Sequence, residues 1–235
     1  MDQQRFTIGD AVRYGWDTMK NNFAYFVVIV IISWFAEGVP SSLQAILGKN
    51  NGGLNALFGI IGFVVSLFVG MAFIKIGLRF TAGEKADFDD LWSAYPALFR
   101  YLLGVILYAL IIIGGLILLI VPGIIWGVKY QFFGFFIIDE GREPTNALTR
   151  SGQITKGVKG YLFLFNLAQL GIFILGILAC VVGLLAAIPV NLVAQAYIYR
   201  RLLATEARGQ AEPVQPTPQA GEPAQQNPPA QPPTN

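Results

Sequence analysis

The sequence predicts an all-α membrane protein whose six transmembrane helices form three hairpins, each preceded by a short interfacial amphipathic helix. Of its 235 residues, 54% are apolar and only 13% are charged, whereas charged residues make up roughly 25% of a soluble domain. No charged residue occurs among the 28 positions 101–128 or the 40 positions 160–199. One helical crossing takes about 20 residues, so the chain should cross a bilayer several times.

The first hairpin is predicted from two apolar stretches, 23–39 and 54–80, joined by PSSLQAILGKNNGG. Residues 40–47 can either extend the first helix or lie on the outer surface, and the sequence leaves both open. The N-terminal MDQQRFTIGD has neither an apolar core nor a small-residue cleavage site. We therefore expect no removable signal peptide, with the first span itself directing insertion.

The middle hairpin is predicted from the continuous apolar stretch between Arg100 and Asp139. As one helix, residues 101–138 would be about 57 Å long, roughly twice the bilayer core. Proline and glycine suit a sharp turn and are poor in a helix interior. We therefore place a corner at Pro122-Gly123, with spans near 100–121 and 123–138.

The last hairpin follows from the 40-residue block, which is again twice the length of one crossing. A corner near Cys180 to Gly183 gives spans near 160–180 and 183–203. In that arrangement Asn166 lies at the level of Gln195, and Gln169 lies at the level of Asn191.

The basic residues test the count of six crossings independently. With both termini in the cytoplasm, 15 of the 16 Lys and Arg residues lie on the inner side, and Lys49 alone lies outside. So strong a bias is typical of a multi-pass protein of a bacterial cytoplasmic membrane, and an odd number of crossings would remove it.

A short amphipathic stretch precedes each hairpin, which suggests a threefold internal repeat. The stretches are TIGDAVRYGWDTMKNN, DFDDLWSAYPALFR and EPTNALTRSGQITKG. Predicted N-caps are Asp10, Asp89 or Asp90, and Thr145 or Asn146. Each stretch has apolar positions at helical spacing, and the first two carry Trp16 and Trp92 at headgroup level, so we expect helices that lie in the membrane interface.

Three regions result: a cytoplasmic N-terminal segment (1–22), a six-helix transmembrane domain (23–203) and a C-terminal tail (204–235). The tail contains eight of the thirteen prolines and too little apolar sequence to form a core. We expect it to be disordered and cytoplasmic. A binding role for its Pro-rich runs is the less favoured alternative.

Six polar residues within the predicted spans form the candidate intramembrane site: Lys129, Glu37, Asn166, Gln169, Asn191 and Gln195. Ionisable groups within a membrane are costly and are candidates for function. Similar estimated depths make a Lys129–Glu37 pair one hypothesis, and snorkelling of Lys129 to an interface is the alternative. The four amides either line a polar cavity or, as we favour, hydrogen-bond between helices.

The composition excludes much catalytic chemistry. There is no histidine and one cysteine, which removes Ser-His and Cys-His arrangements and the usual zinc ligand, and argues against a Cys-rich metal site. Acidic residues in the inner loops could hold a divalent cation, but the interleaved basic residues favour solvated loops. We expect no enzymatic activity, no cofactor, no metal and no nucleic-acid partner.

Several segments resemble a family of uncharacterised bacterial membrane proteins that is related to the membrane domain of glycerophosphoryl diester phosphodiesterases. They are GDAVRYGWDTMKNNF at 9–23, DFDDLWSAYPALFRYLLG at 87–104, LLIVPGIIWGVKYQFFGFFIIDEG at 118–141, ALTRSGQITKGVKGYLFLF at 147–165 and AYIYRRLL at 196–203. The resemblance implies a compact six-helix membrane protein. It brings no reaction, because catalysis in the phosphodiesterases belongs to a separate soluble domain, and no catalytic residue carries over.

The expected function is that of a membrane accessory or lipid-interacting factor. The lipid bilayer is the expected partner, and other membrane proteins or further copies of the chain are candidates. The alternative is a transporter for a small or lipid-like solute, lined by the six polar residues.

Overall fold

The computed structural model describes residues 7–86 and 95–211. This part of the chain consists of α-helices joined by short turns and contains no β-strand, which confirms the all-α prediction. The helices are α1 (Ile8–Asn21), α2 (Phe23–Leu47), α3 (Gly52–Thr81), α4 (Leu98–Leu118), α5 (Ile120–Tyr130), α6 (Phe133–Glu140), α7 (Pro144–Ile154), α8 (Lys159–Leu178) and α9 (Cys180–Ala211). A 3₁₀ turn, Tyr95–Ala97, leads into α4.

Five helical segments within the described ranges are long and apolar enough to cross a membrane. They are α2, α3, Tyr95–Leu118, Ile120–Glu140 and α8. The sequence therefore correctly predicted a chain with several helices of membrane-spanning length. The sixth predicted crossing falls in α9, a continuous helix of 32 residues, and the full set of six stays a prediction.

The middle hairpin turns earlier than predicted. The chain turns at Leu119, whose extended backbone (φ −168°, ψ 152°) separates α4 from α5, so the predicted corner at Pro122-Gly123 is wrong. Pro122 is instead the third residue of α5, where backbone N–H groups have no acceptor within the helix and proline is tolerated. Gly123 allows close packing, since a Cβ there would lie 2.6 Å from Leu116 Cδ2.

The other two turns agree better with the sequence. The last hairpin turns at Ala179, next to the predicted corner, because α8 ends at Leu178 and α9 begins at Cys180. In the first hairpin α2 continues through Pro40 to Leu47, so residues 40–47 extend the first helix. After the proline, Ser41 and Ser42 donate hydroxyl hydrogen bonds to carbonyls one turn earlier.

Within the described residues the three hairpins pack together at one end, which we call the base; their three turns are the tips. Two clusters of buried apolar residues form the base, one around Phe132, Phe136 and Tyr199 and one around Phe26 and Ile76. Near the tips, large apolar side chains are exposed in every hairpin: Ile46, Ile117, Leu118, Leu119, Ile120, Val121, Leu175 and Leu178. Burial near the tips comes from contacts within a hairpin, such as Gly176 against Gly183 and Ala187.

Two of the three predicted amphipathic helices, α1 and α7, pack against the protein. In α1 the buried residues are Ala11, Gly15 and Met19. A Cβ on Gly15 would lie 2.5 Å from the carbonyl oxygen of Val190 on α9, and the Tyr14 ring stacks on that of Tyr197 at 4.9 Å. Most of the stretch DFDDLWSAYPALFR, residues 87–94, lies outside the described residues.

The helix starts also differ from the predicted caps. Thr7 caps α1, and Asp10 completes the capping box from the third helical position. Glu143 precedes α7 with Pro144 at the first position, which suits the fixed φ of proline. Asp89 and Asp90 lie outside the described residues.

The C-terminal helix continues beyond the predicted domain boundary. α9 extends to Ala211, eight residues past Leu203, because ATEAR is made largely of good helix formers and Glu206 pairs with Arg150 on α7. The remainder of the predicted tail, 212–235, lies outside the described residues.

A candidate ligand-binding cleft at the junction of three hairpins

The segment that contains Lys129 is broken in its middle. α5 ends at Tyr130 and α6 begins at Phe133, so several carbonyl groups at the end of α5 lose their helical partners. Hydroxyl groups from other helices donate hydrogen bonds to these carbonyls instead. Tyr108 Oη donates to the Gly127 carbonyl at 3.1 Å, and Ser151 Oγ and Thr155 Oγ1 both donate to the Lys129 carbonyl at 3.0 Å.

Ser151 also accepts a hydrogen bond from the Phe132 backbone N–H at 3.1 Å. Ser151 and Thr155 are fully buried. Ser151 lies in the last turn of α7, and Thr155 is the residue that follows this helix. Non-helical backbone at membrane depth is tolerated where protein groups satisfy it. The contact with α7 therefore stabilises the break.

Beside the break lies a cleft of about 380 Å³ that all three hairpins line; we call it the junction cleft. Its lining residues are Gly70, Phe73 and Ile74 of α3; Tyr101 of α4; Gln131, Phe133, Gly134 and Phe135 around the break; Phe173 of α8; and Ile188, Asn191, Leu192 and Gln195 of α9. The volume is within the range of small-ligand sites. Phe173 is 40% exposed, so the cleft is open to the surroundings of the bundle.

Two buried polar atoms in this cleft have no hydrogen-bond partner among the described residues: Gln131 Nε2 and Asn191 Oδ1. Leaving such a group unsatisfied costs about 1–3 kcal/mol. One is a donor in the helix break and the other is an acceptor on α9. Both atoms are shielded from the surroundings, but the residues that carry them line the cleft together with Gln195, so the cleft wall contains three amides.

The four amides predicted on the last hairpin have different positions. Gln169 and Asn191 bond reciprocally, because each side-chain NH₂ donates to the backbone carbonyl of the other, at 3.0 and 3.2 Å. This confirms that the two residues lie at one level and join α8 to α9. Gln195 lines the junction cleft, whereas Asn166 does not.

The hypothesis of a Lys129–Glu37 pair is wrong. Lys129 Nζ donates to Tyr130 Oη at 2.7 Å, and no ion pair connects Lys129 to Glu37 among the described residues. Glu37 is exposed on α2. The lysine stem lies against Gly152 of α7, where a Cβ would come within 2.9 Å of Lys129 Cε.

Charged groups form a second, smaller cleft of about 200 Å³ at the base, lined by Lys75, Leu78, Arg79, Ala82, Glu84, Ile138, Asp139 and Arg200. Arg200 makes two hydrogen bonds to Asp139, at 2.9 and 3.0 Å, and Tyr199 Oη donates to the same carboxylate. Nearby, Arg150 binds Glu206 with both terminal nitrogens, at 2.7 and 2.8 Å. That hydrogen-bonded carboxylate raises the pKa of Arg150, so the guanidinium stays charged.

Sequence reasoning missed several residues of the junction. Gln131 directly follows Lys129 and Tyr130, so a run of three polar residues inside an apolar span was the available signal. Ser151 and Thr155 were not among the predicted site residues. Their role depends on contacts across about 20 residues of chain, for which the local pattern contains no signal.

The chain is similar to mycobacterial proteins. It is 28% identical over 249 aligned residues to the uncharacterized protein Mb2590 of Mycobacterium bovis and to the uncharacterized protein MT2637 of Mycobacterium tuberculosis, with 93% of this chain and 74% of each relative covered. The uncharacterized protein Rv2560 of Mycobacterium tuberculosis is 27% identical over the same coverage. No protein-family model matches the chain, and no solved structure matches it.

Proposed function

We propose that this protein is a multi-pass protein of a bacterial cytoplasmic membrane that binds a lipid or lipid-like molecule in the junction cleft. It has no catalytic activity of its own and acts as an accessory factor on envelope lipids or on partner membrane proteins, further copies of itself included. The chain crosses the membrane six times, with α9 as the last crossing and with both termini in the cytoplasm.

The observation that carries this proposal is the composition of the junction cleft. Amides from Gln131, Asn191 and Gln195 lie on a surface that is otherwise aromatic and aliphatic. A lipid has the same division between a polar group and an apolar chain. The cleft also lies where the hairpins diverge towards their exposed tips, so a molecule dissolved in the bilayer can reach it laterally.

The distribution of charge supports the proposed orientation. Lys75, Arg79 and Arg200 lie together at the base, and the sequence places 15 of 16 basic residues on that side. Basic groups near the cytoplasmic leaflet attract its anionic headgroups. The base therefore faces the cytoplasm and the tips face outwards.

We further propose kinship with the membrane domain attached to glycerophosphoryl diester phosphodiesterases. The support is the resemblance of the segments named above, among which residues 118–141 contain the helix break and Gln131. A non-catalytic membrane part fits this kinship, because catalysis in those enzymes belongs to their soluble domain.

Photo-crosslinking tests the proposed function. A photoreactive phenylalanine derivative replaces Phe173, which lines the cleft, and in a second variant replaces Ile117, which is 80% exposed near a tip. After irradiation in cells, mass spectrometry identifies the captured lipids. We expect one lipid class to be enriched at position 173 and the bulk membrane mixture at position 117. The same mixture at both positions would contradict the proposal.

A transporter is the second candidate, and the amides of Gln131, Asn191 and Gln195 in the cleft wall favour it, because polar groups within membrane-spanning segments can line a solute path. The test is Gln195→Cys in a Cys180→Ala background, treated with a membrane-impermeant thiol reagent in intact cells and in inverted vesicles. Labelling from both sides would favour transport. Labelling from neither side, with labelling by a membrane-permeant reagent, would favour lipid binding.

A further inference from the structure

We infer that the junction cleft selects a lipid whose head group is uncharged and carries a hydroxyl, such as a diacylglycerol, over a lipid with a phosphate head group. This inference rests on the proposed function and defines the chemical class of the ligand.

The junction cleft is lined by uncharged side chains. None of its lining residues in the described ranges is Lys, Arg, Asp or Glu. Burying an ionised group without a counter-charge is costly. A phosphate in this cleft would lose its hydration and gain no cation in return.

Hydrogen-bonding capacity in the cleft comes from amides. Gln131, Asn191 and Gln195 line it, and an amide side chain carries both donors and an acceptor. A hydroxyl group can both donate to and accept from such amides. An ionised phosphodiester only accepts hydrogen bonds, so it can pair with the amide NH₂ groups but not with the amide oxygens.

Charged groups line a different surface. Lys75 follows the cleft residue Ile74 in the sequence, yet it lines the second cleft together with Arg79 and Arg200. Glu84 and Asp139 line that same surface and pair with Arg79 and Arg200. The protein therefore places its charged groups in the second cleft and uncharged groups in the junction cleft.

The test compares two photoreactive lipids with identical diazirine-bearing acyl chains, one a diacylglycerol and the other a phosphatidic acid. The purified full-length chain is irradiated with each probe in nanodiscs, and the captured fraction in peptides that line the cleft is measured. We expect the diacylglycerol to label these peptides about ten times more than the phosphatidic acid.

Variants relate the selectivity to named atoms. Gln131→Met keeps the length and volume of the side chain but removes the donor, and Gln195→Met serves as a second cleft variant. We expect about fivefold less diacylglycerol capture by Gln131→Met. Asn166→Leu is the matched control, because it also removes an amide from a membrane helix but lies outside the cleft; its capture should be unchanged.

The outcomes separate this inference from the proposed function. Equal capture of both probes within the cleft overturns the inference about the head group and leaves lipid binding standing. Capture of neither probe overturns both. Loss of capture in Asn166→Leu as large as in Gln131→Met, in proteins that remain folded by circular dichroism, also overturns the inference.

Discussion

The base and the tips of the bundle are stabilised by different means. At the base, side chains from α1, α3, α6, α7, α8 and α9 share one apolar core around Phe132 and Tyr199. At the tips, the close contacts of the described residues lie within a hairpin and involve small residues such as Gly115 against Gly123. The outward surfaces there are large and apolar, with Ile117 80% exposed.

This difference shows how a membrane helix bundle can be well packed at one end and open at the other. Lipid is as apolar as leucine, so exposed apolar side chains at the tips carry no hydrophobic penalty in a bilayer. Helix association then depends on close packing and hydrogen bonds, and these are concentrated at the base. The junction cleft lies between the base and the tips. There the hairpins separate from one another, and polar residues still line the space between them.

The largest expected effect compares two phenylalanines. Phe132→Ala removes a fully buried ring of the base core and should lower the free energy of unfolding by about 3–5 kcal/mol. Phe35→Ala removes a ring that is 70% exposed on α2 and should change it by less than about 0.5 kcal/mol. Unfolding in mixed micelles by sodium dodecyl sulfate, followed by circular dichroism, measures both. Equal losses would contradict the division into base and tips.

Two glycines sharpen the comparison. Gly15→Ala introduces a Cβ within 2.5 Å of the Val190 carbonyl oxygen, a backbone atom that cannot move alone, and should cost about 1–3 kcal/mol. Gly38→Ala on α2 meets nothing within 4 Å and should stabilise the helix by up to about 1 kcal/mol. The same unfolding assay applies. Loss of stability in Gly38→Ala would contradict the open surroundings of Gly38 on α2.

Removing a hydroxyl group at the helix break should lower the free energy of unfolding by about 1–3 kcal/mol, because a buried backbone group is then left without a hydrogen-bond partner. Ser151→Ala removes the acceptor of the Phe132 N–H and one donor to the Lys129 carbonyl. Hydrogen exchange at the Phe132 amide should become faster. Thr149→Val is the control, since Thr149 is exposed and bonds only to the Thr145 carbonyl of its own helix. Unchanged exchange in Ser151→Ala would mean that this contact does not stabilise the break.

The smallest expected effect concerns ion pairs. A double-mutant cycle on Arg150 and Glu206, each only 25% exposed, should give a coupling energy of about 0.5–1 kcal/mol. The same cycle on Arg13 and Asp17, which are 85% and 50% exposed, should give a value near zero. A larger coupling energy for Arg13 and Asp17 would show that side-chain exposure does not determine the strength of these ion pairs.

The fold could be predicted from the sequence where length and polarity act together. The last hairpin is the clearest case, because 40 residues cannot form one crossing and the matched depths of Gln169 and Asn191 fix the turn. The middle hairpin shows the limit. Its length required a corner, but Pro122 marked the start of a helix and the turn at Leu119 has no local signal.

The candidate site was only partly predictable. The position of a residue along a helix gives its depth in the membrane, but it does not tell which side of the helix its side chain lies on. For Gln195, hydrogen bonding between helices was favoured over a place in a cavity wall, and Gln195 lines the junction cleft. Lys129 and Glu37 were assigned similar depths, yet Glu37 points away from the bundle and Lys129 bonds to its neighbour Tyr130. Gln131 lies between α5 and α6, in the helix break that Ser151 and Thr155 stabilise. The sequence contains no local signal for this break.

The most direct test of an accessible junction cleft compares two adjacent residues of α9. Gln195→Cys and Ala196→Cys are prepared separately in a Cys180→Ala background, and the purified proteins are treated with a small membrane-permeant maleimide. Gln195 lines the cleft, whereas Ala196 is fully buried in the base. We expect Gln195→Cys to react in the folded protein, more slowly when diacylglycerol is added, and Ala196→Cys to react only after denaturation. Equal protection of both cysteines until denaturation would contradict the account.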